Sequence, residues 1–236
     1  MKKILLLLYI LFISLNTQAQ TEIFDTLLKK HVSILGNVDY SSLKNEEVKL
    51  DAYLDYLAKT TPSKNWSDNA IKAFWINAYN AYTIKLILKN IPLKSITTIK
   101  EKGKDAWNIP FVIVGKKTMT LNFIEHEILR KKFSDPRIHV GVNCASISCP
   151  KLGNFAFTAN NIDDELEKLM SIFINDTNRN SLSAKKIKLS KIFEWFKEDF
   201  TKNESLIAYI NRYATTKINK KAKIRFLEYN WNLNSN

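Results

Sequence analysis

The sequence predicts an α+β domain in which helices pack around a small, mainly antiparallel sheet. Two kinds of observation predict it. Several segments repeat apolar residues at helical spacing, and a few short runs alternate apolar with polar residues as half-buried strands do. No repeat, low-complexity tract or linker interrupts the chain, and five Gly and five Pro in 236 residues mark no hinge, so residues 20–236 are expected to form a single domain.

The preceding segment is of another kind. Lys2 and Lys3 are followed by an apolar run from Ile4 to Leu15 and then by Asn16, Thr17, Gln18, Ala19 and Gln20. This is the pattern of a signal peptide over residues 1–19. The apolar run is roughly a dozen residues, against about 20 for a membrane-crossing helix, so no stable transmembrane anchor is expected. The mature protein is expected to be exported, periplasmic or secreted.

Leu27, Leu28 and Val32 predict a first helix that ends before Gly36, and Leu43, Leu50, Leu54 and Leu57 a second. Ser67 is suited to cap a long third helix through Ile71, Phe74, Trp75, Ala78 and Ala81, which Pro92 must stop. Phe111–Val114 and Thr118–Thr120 flank Gly115-Lys116-Lys117 as a hairpin. A short helix then carries Glu125, His126 and Arg130. Ile138, Val140 and Val142 alternate with His139, Gly141 and Asn143, which predicts a strand. Ile162 to Phe173 read as a helix and Ile187 with Leu189 as a strand. Ser190 caps a helix bearing Ile192, Phe193, Phe196 and Phe200. A helix around Leu206, Ile210 and Tyr213 and a strand at Ile224, Phe226 and Leu227 complete the series.

Apolar residues make up 45% of the chain, which excludes disorder as the overall state. The formal charge is +13, or +11 without Lys2 and Lys3, and is densest toward the C-terminus. Such a field favours anionic partners, which outside the cytoplasm would be phosphorylated or acidic envelope polymers rather than nucleic acid; a solvated lysine-rich face is the plainer explanation.

Phe74-Trp75-Ile76-Asn77-Ala78-Tyr79-Asn80-Ala81, Ile124 through Arg130, and His139 through Asn143 with Cys144 and Ser148-Cys149-Pro150 together resemble the domain of unknown function 547 family. Leu189-Ser190-Lys191-Ile192-Phe193 with Trp195, and Leu227 through Asn234, fit it as well. The resemblance implies a fold grouped with papain-like and transglutaminase-like cysteine hydrolases, and no established activity. In such enzymes the nucleophilic Cys opens a core helix, whereas the helix beginning near Ser67 contains none.

Cys144 and Cys149 are the only cysteines, and in an exported protein they form a disulfide candidate. In a catalytic reading Cys144 is the nucleophile, His126 or His139 the base, and Asn77, Asn80 or Glu125 the group that orients the imidazole, with Arg130 and Asn143 as binding residues. Its reaction would be hydrolysis or transfer at an amide or thioester carbonyl. A non-enzymatic reading joins the same side chains in a buried polar network, as part of an inert module that binds a peptide or an anionic glycan. His126, His139, Cys144 and Cys149 are of the right kind for zinc, but the Cys spacing is not that of a two-residue knuckle, and no metal or cofactor is assigned.

Overall fold

A computed structural model of the chain describes residues 20–235; the expected signal peptide, residues 1–19, lies outside the described residues. Helix α1 (20–31) buries Phe24, Leu27 and Leu28. Phe24 stacks on Tyr53 of α3 (Glu47–Lys59) with ring centroids 4.8 Å apart. The single helix expected from Leu43 to Leu57 is two, α2 (Tyr40–Lys44) and α3. Asp39 caps α2 by accepting a hydrogen bond from Ser42 N, and Glu46 breaks the run with a non-helical backbone.

Helix α4 (Asp68–Asn90) is the axis of the domain. Ser67 caps it as expected, its hydroxyl accepting from Ala70 N at 3.2 Å, and the chain leaves the helix before Pro92. Every residue from Ile71 to Ile84 is buried, so the helix has no solvated stripe and lies inside the core. Lys72 is tolerated there because its ammonium meets Asp135 at 2.8 Å, and Arg137 joins the same carboxylate. Despite its burial Asp135 is held down to about 2 by these two cations.

The strands form three two-stranded pieces rather than one sheet. β1 (Lys100–Glu101) pairs antiparallel with β2 (Lys104–Asp105), and β3 (Val112–Val114) with β4 (Lys117–Met119). The second hairpin turns on Gly115 and Lys116, both at positive φ, as a two-residue turn requires. β5 (Lys186–Leu189) pairs with β6 (Lys223–Phe226) in parallel, which needs a long crossover. That crossover holds α8 (Ile192–Trp195), α9 (Lys197–Thr201) and α10 (Leu206–Asn211). Ser190 Oγ accepts from Ile192 N at 3.3 Å, but the N-cap of α8 is Lys191 and not the expected Ser190, and the expected continuous helix is interrupted at Phe196, where the backbone leaves helical geometry.

After the short α5 (Arg130–Lys132), the strand expected over Arg137–Asn143 is instead a helical turn, α6 (Ile138–Gly141). Asp135 Oδ1 accepts from Arg137 N at 3.0 Å, Pro136 presets the turn, and Ile138 N and His139 N bond back to the carbonyls of Asp135 and Pro136. Alternation carries no strand information here because α6 is buried on all sides. A Cβ on Gly141 would lie 2.9 Å from Leu166 of α7 (Ile162–Asn175) and 3.0 Å from Ile76 of α4, so its glycine lets α6 fit between two helices. Among the described residues no helix is long and apolar enough to cross a membrane.

Candidate active site

A cleft of about 170 Å³ opens where α4, the segment after β4, α6 and the 190s meet the chain's last residues. Glu125, His126, His139, Cys144 and Cys149 line it, so five of the residues singled out by sequence meet in one place. Tyr79 comes from the middle of α4.

Glu125 and His126 lie on a π-helical turn, Phe123–Leu129, whose widened ring is a form of helix often found at functional sites. The turn packs against α4 and places Glu125 in the buried interior, beside Tyr79. Burial raises the Glu125 carboxyl to about 7, although Tyr79 and Arg130 pull it down. Burial also lowers His126, and the neighbouring Arg130 guanidinium adds to the effect.

Asp199 on α9, which sequence reasoning missed, organises the histidines. It accepts from His139 Nε2 at 2.7 Å and from Arg130 Nε at 2.6 Å and Nη2 at 3.0 Å. Against the upward push of burial, His139 and Arg130 hold its carboxylate well below the usual range. Arg130 Nη1 also lies 3.0 Å from His126 Nδ1, which must therefore be the accepting nitrogen. His139 is fully enclosed, with Phe196 stacked on it at 3.9 Å, and burial lowers its pKa despite Asp199. With Nε2 donating to an ionised carboxylate, neutral His139 presents a bare Nδ1. That atom has no hydrogen-bond partner among the described residues and lies 3.9 Å from Glu125 Oε1, beyond hydrogen-bond length.

Cys144 and Cys149 are both free, so the expected disulfide is not formed. The loop folds back as a hydrogen-bonded thiol pair: Cys144 N donates to Cys149 Sγ at 3.1 Å, and Cys144 Sγ meets Ser146 Oγ and Tyr229 Oη, each at 3.2 Å. Hydrogen bonding from Cys149, then from Ser146 and Tyr229, lowers the Cys144 thiol against the effect of burial, while burial pushes Cys149 well up. Cys144 is partly exposed and Cys149 is not. Ala145 follows at φ 54°, a left-handed conformation rare outside glycine, fixed by its N–H bond to Asn143 Oδ1 at 2.9 Å.

The remaining expected site residues bond mainly to backbone or to one another. Asn77 exchanges two hydrogen bonds with the backbone of Phe157, at 2.7 and 2.9 Å. Asn80 bonds Gly141 O and Asn143 N, each at 2.8 Å. Both amides are spent on loops flanking the site and neither lines the cleft. Asn143 braces the cysteine loop through Pro150 O at 2.8 Å, and Arg130 acts through Asp199 and His126.

An aromatic wall, also not identified from sequence, closes the other side. Tyr229 lies 4.7 Å from Trp195 and 4.5 Å from Trp231, and Trp107 lies 5.5 Å from Trp231. Trp195 and Tyr229–Trp231 fall within segments that carry the family resemblance, which was the available signal; Asp199 gave none.

Residues 63–174 match the model of a family described as "Protein of unknown function, DUF547". The three motifs that carry the resemblance all fall inside the matched span, and the match supports that family. No curated protein and no solved structure matches the chain.

Proposed function

We propose that the protein is a cysteine hydrolase or transferase acting at an amide or thioester carbonyl, with Cys144 as nucleophile. What supports this reading is the meeting, in one cleft, of a partly exposed thiol held below its ordinary pKa and a buried carboxyl raised to about 7. The Cys144 thiolate adds to the carbonyl carbon, forming the S–C bond. The leaving amine or thiol departs with the proton of the Glu125 carboxyl. The Glu125 carboxylate then takes a proton from the water or acceptor that cleaves the acyl-thioester, which restores both the Cys144 thiolate and the Glu125 acid. Asp199 and Arg130 hold His139 and neutral His126 beside them. The papain-like or transglutaminase-like relationship belongs to this reading too, with the thiol displaced from the start of the core helix to the loop after α6. So does export, on the charged, apolar and small-residue pattern of residues 1–19.

The test is intact-mass analysis of the protein after exposure to aryl thioesters and iodoacetamide. A transient acyl adduct on Cys144, lost in Cys144→Ala and persistent in Glu125→Gln, is the expected result. If Cys144 neither alkylates nor acylates in the folded protein, the reading fails.

The aromatic wall favours a second reading, an inert module that holds a peptide in the same cleft. Peptide binding that persists in Cys144→Ala, without turnover in the native protein, would select it.

A further inference from the structure

Away from the cleft, the pairing of β5 with β6 sets like charges side by side. The parallel register places Lys186 opposite Lys223 and Lys188 opposite Arg225. All four are exposed, while Ile187 and Leu189, alternating with them on β5, are buried. Paired residues of adjacent strands share a face, so this is a two-by-two grid of cations. Its rungs are about 4.8 Å wide, and its rows about 6.6 Å apart.

Like charges directly opposite each other destabilise a strand pair, and nothing nearby offsets them. Residues 181–193 and 205–227 contain no Asp or Glu, and the pairing zips these two stretches together. The acids that border them are engaged elsewhere. Glu194 is paired with Lys191 at 2.6 Å and Glu204 with Arg212 at 3.2 Å, and Glu228 acts on Lys191. Among the described residues none of the four grid cations has a carboxylate partner. Exposed Lys185, Lys217, Lys220 and Lys221 extend the same field in sequence.

We propose that this face is a binding site for a linear polyanion of high charge density, recognised by the grid of Lys186, Lys188, Lys223 and Arg225. The inference does not depend on the reaction assigned to the cleft. Three of the four cations are Lys, a compact point charge without the bidentate fork of Arg, which suits repeated phosphate or sulfate groups along a flexible chain rather than one fixed anion. The exposed strand positions hold these cations and Ile224, with no aromatic ring on which a base could stack, so the ligand is a polymer without bases.

The test is fluorescence anisotropy of the protein with labelled inorganic polyphosphate across a salt series, beside sedimentation with phosphatidylglycerol vesicles. Binding that weakens steeply with salt is expected. K186E/K188E should bind about tenfold or more weakly. K64E/K117E, which changes net charge equally at exposed positions elsewhere, should bind as the native protein does. K186E/K188E should also melt higher, because each rung becomes an opposite-charge pair; weaker binding with higher stability separates loss of a site from loss of fold. Equal weakening in both variants, salt-independent binding, or association with vesicles but not with polyphosphate would each overturn the proposal.

Discussion

Asp199 accepts the Nε2 proton of His139 at 2.7 Å while a bidentate Arg130 occupies the same carboxylate, so one acid on α9 fixes a histidine on α6 and an arginine beyond the π-helical turn. Asp199→Asn removes the negative charge and one of the two accepting oxygens, so His139 and Arg130 cannot both keep their bonds and a partly buried guanidinium loses its counter-ion. The expected loss, read by urea denaturation, is about 2–3 kcal/mol, allowing for the carboxylate's partial exposure. Because the folded pKa of Asp199 is depressed, its contribution is present above about pH 4 and is lost as pH falls through the folded value. Native protein should therefore lose stability in acid more steeply than Asp199→Asn.

Glu125 has the opposite sign. Its folded pKa is raised to about 7, so the fold favours the protonated form. That contribution is present below the unfolded value near 4.3 and is lost as pH rises to 7. Glu125→Gln removes the dependence. Its melting temperature should match native protein near pH 4 and exceed it at pH 8, by the equivalent of on the order of 3 kcal/mol.

Cys149 supports the Cys144 thiolate by hydrogen bonding. Cys149→Ala removes that support, so the Cys144 pKa should rise and alkylation by iodoacetamide at pH 7 should slow several-fold, with the inflection of rate against pH displaced upward. Mass analysis of native protein with and without reductant should show two thiols; loss of two hydrogens would mean the disulfide forms after all.

Asn80 holds Gly141 O and Asn143 N with a single buried amide. Asn80→Ala leaves two buried backbone groups unsatisfied, and a destabilisation of about 2–4 kcal/mol is expected in urea.

Trp195 is 46% exposed, yet it forms part of the aromatic wall. Trp195→Ala should change stability by less than about 1 kcal/mol. Once a substrate is found, it should raise KM more than it lowers kcat, because the ring is placed to hold the substrate, not to react.

How much of this was legible depended on how local each signal is. Helix α4 was readable because its cap, its apolar spacing and its stop are all near neighbours in sequence. The turn at α6 was not, since alternation distinguishes a strand only when one face meets water and here neither does. Cys144, Glu125 and the two histidines could be listed by type, but their roles could not, because roles follow from partners: Asp199 lies 60 residues from His139, and Tyr229 lies 85 from Cys144. Asn77 and Asn80 show the converse: their spacing marks them as buried amides, which they are, but spacing does not reveal which backbone groups they hold.

The segment that carries Tyr229 and Trp231 also clasps the cysteine loop. Leu233 bridges Ser146, Asn234 N bonds Ala145 O, and Ser235 bridges Val38 near the other end of the fold. Synthesis proceeds from the amino end, so Cys144 is made some 85 residues before the hydroxyl that rests on its sulfur. Until residues 229–235 dock, the loop is braced by Asn143 and Arg179 without their clasp, and the thiol has none of its tyrosine support. The nascent chain thus carries a cysteine whose chemistry is not yet that of the finished protein.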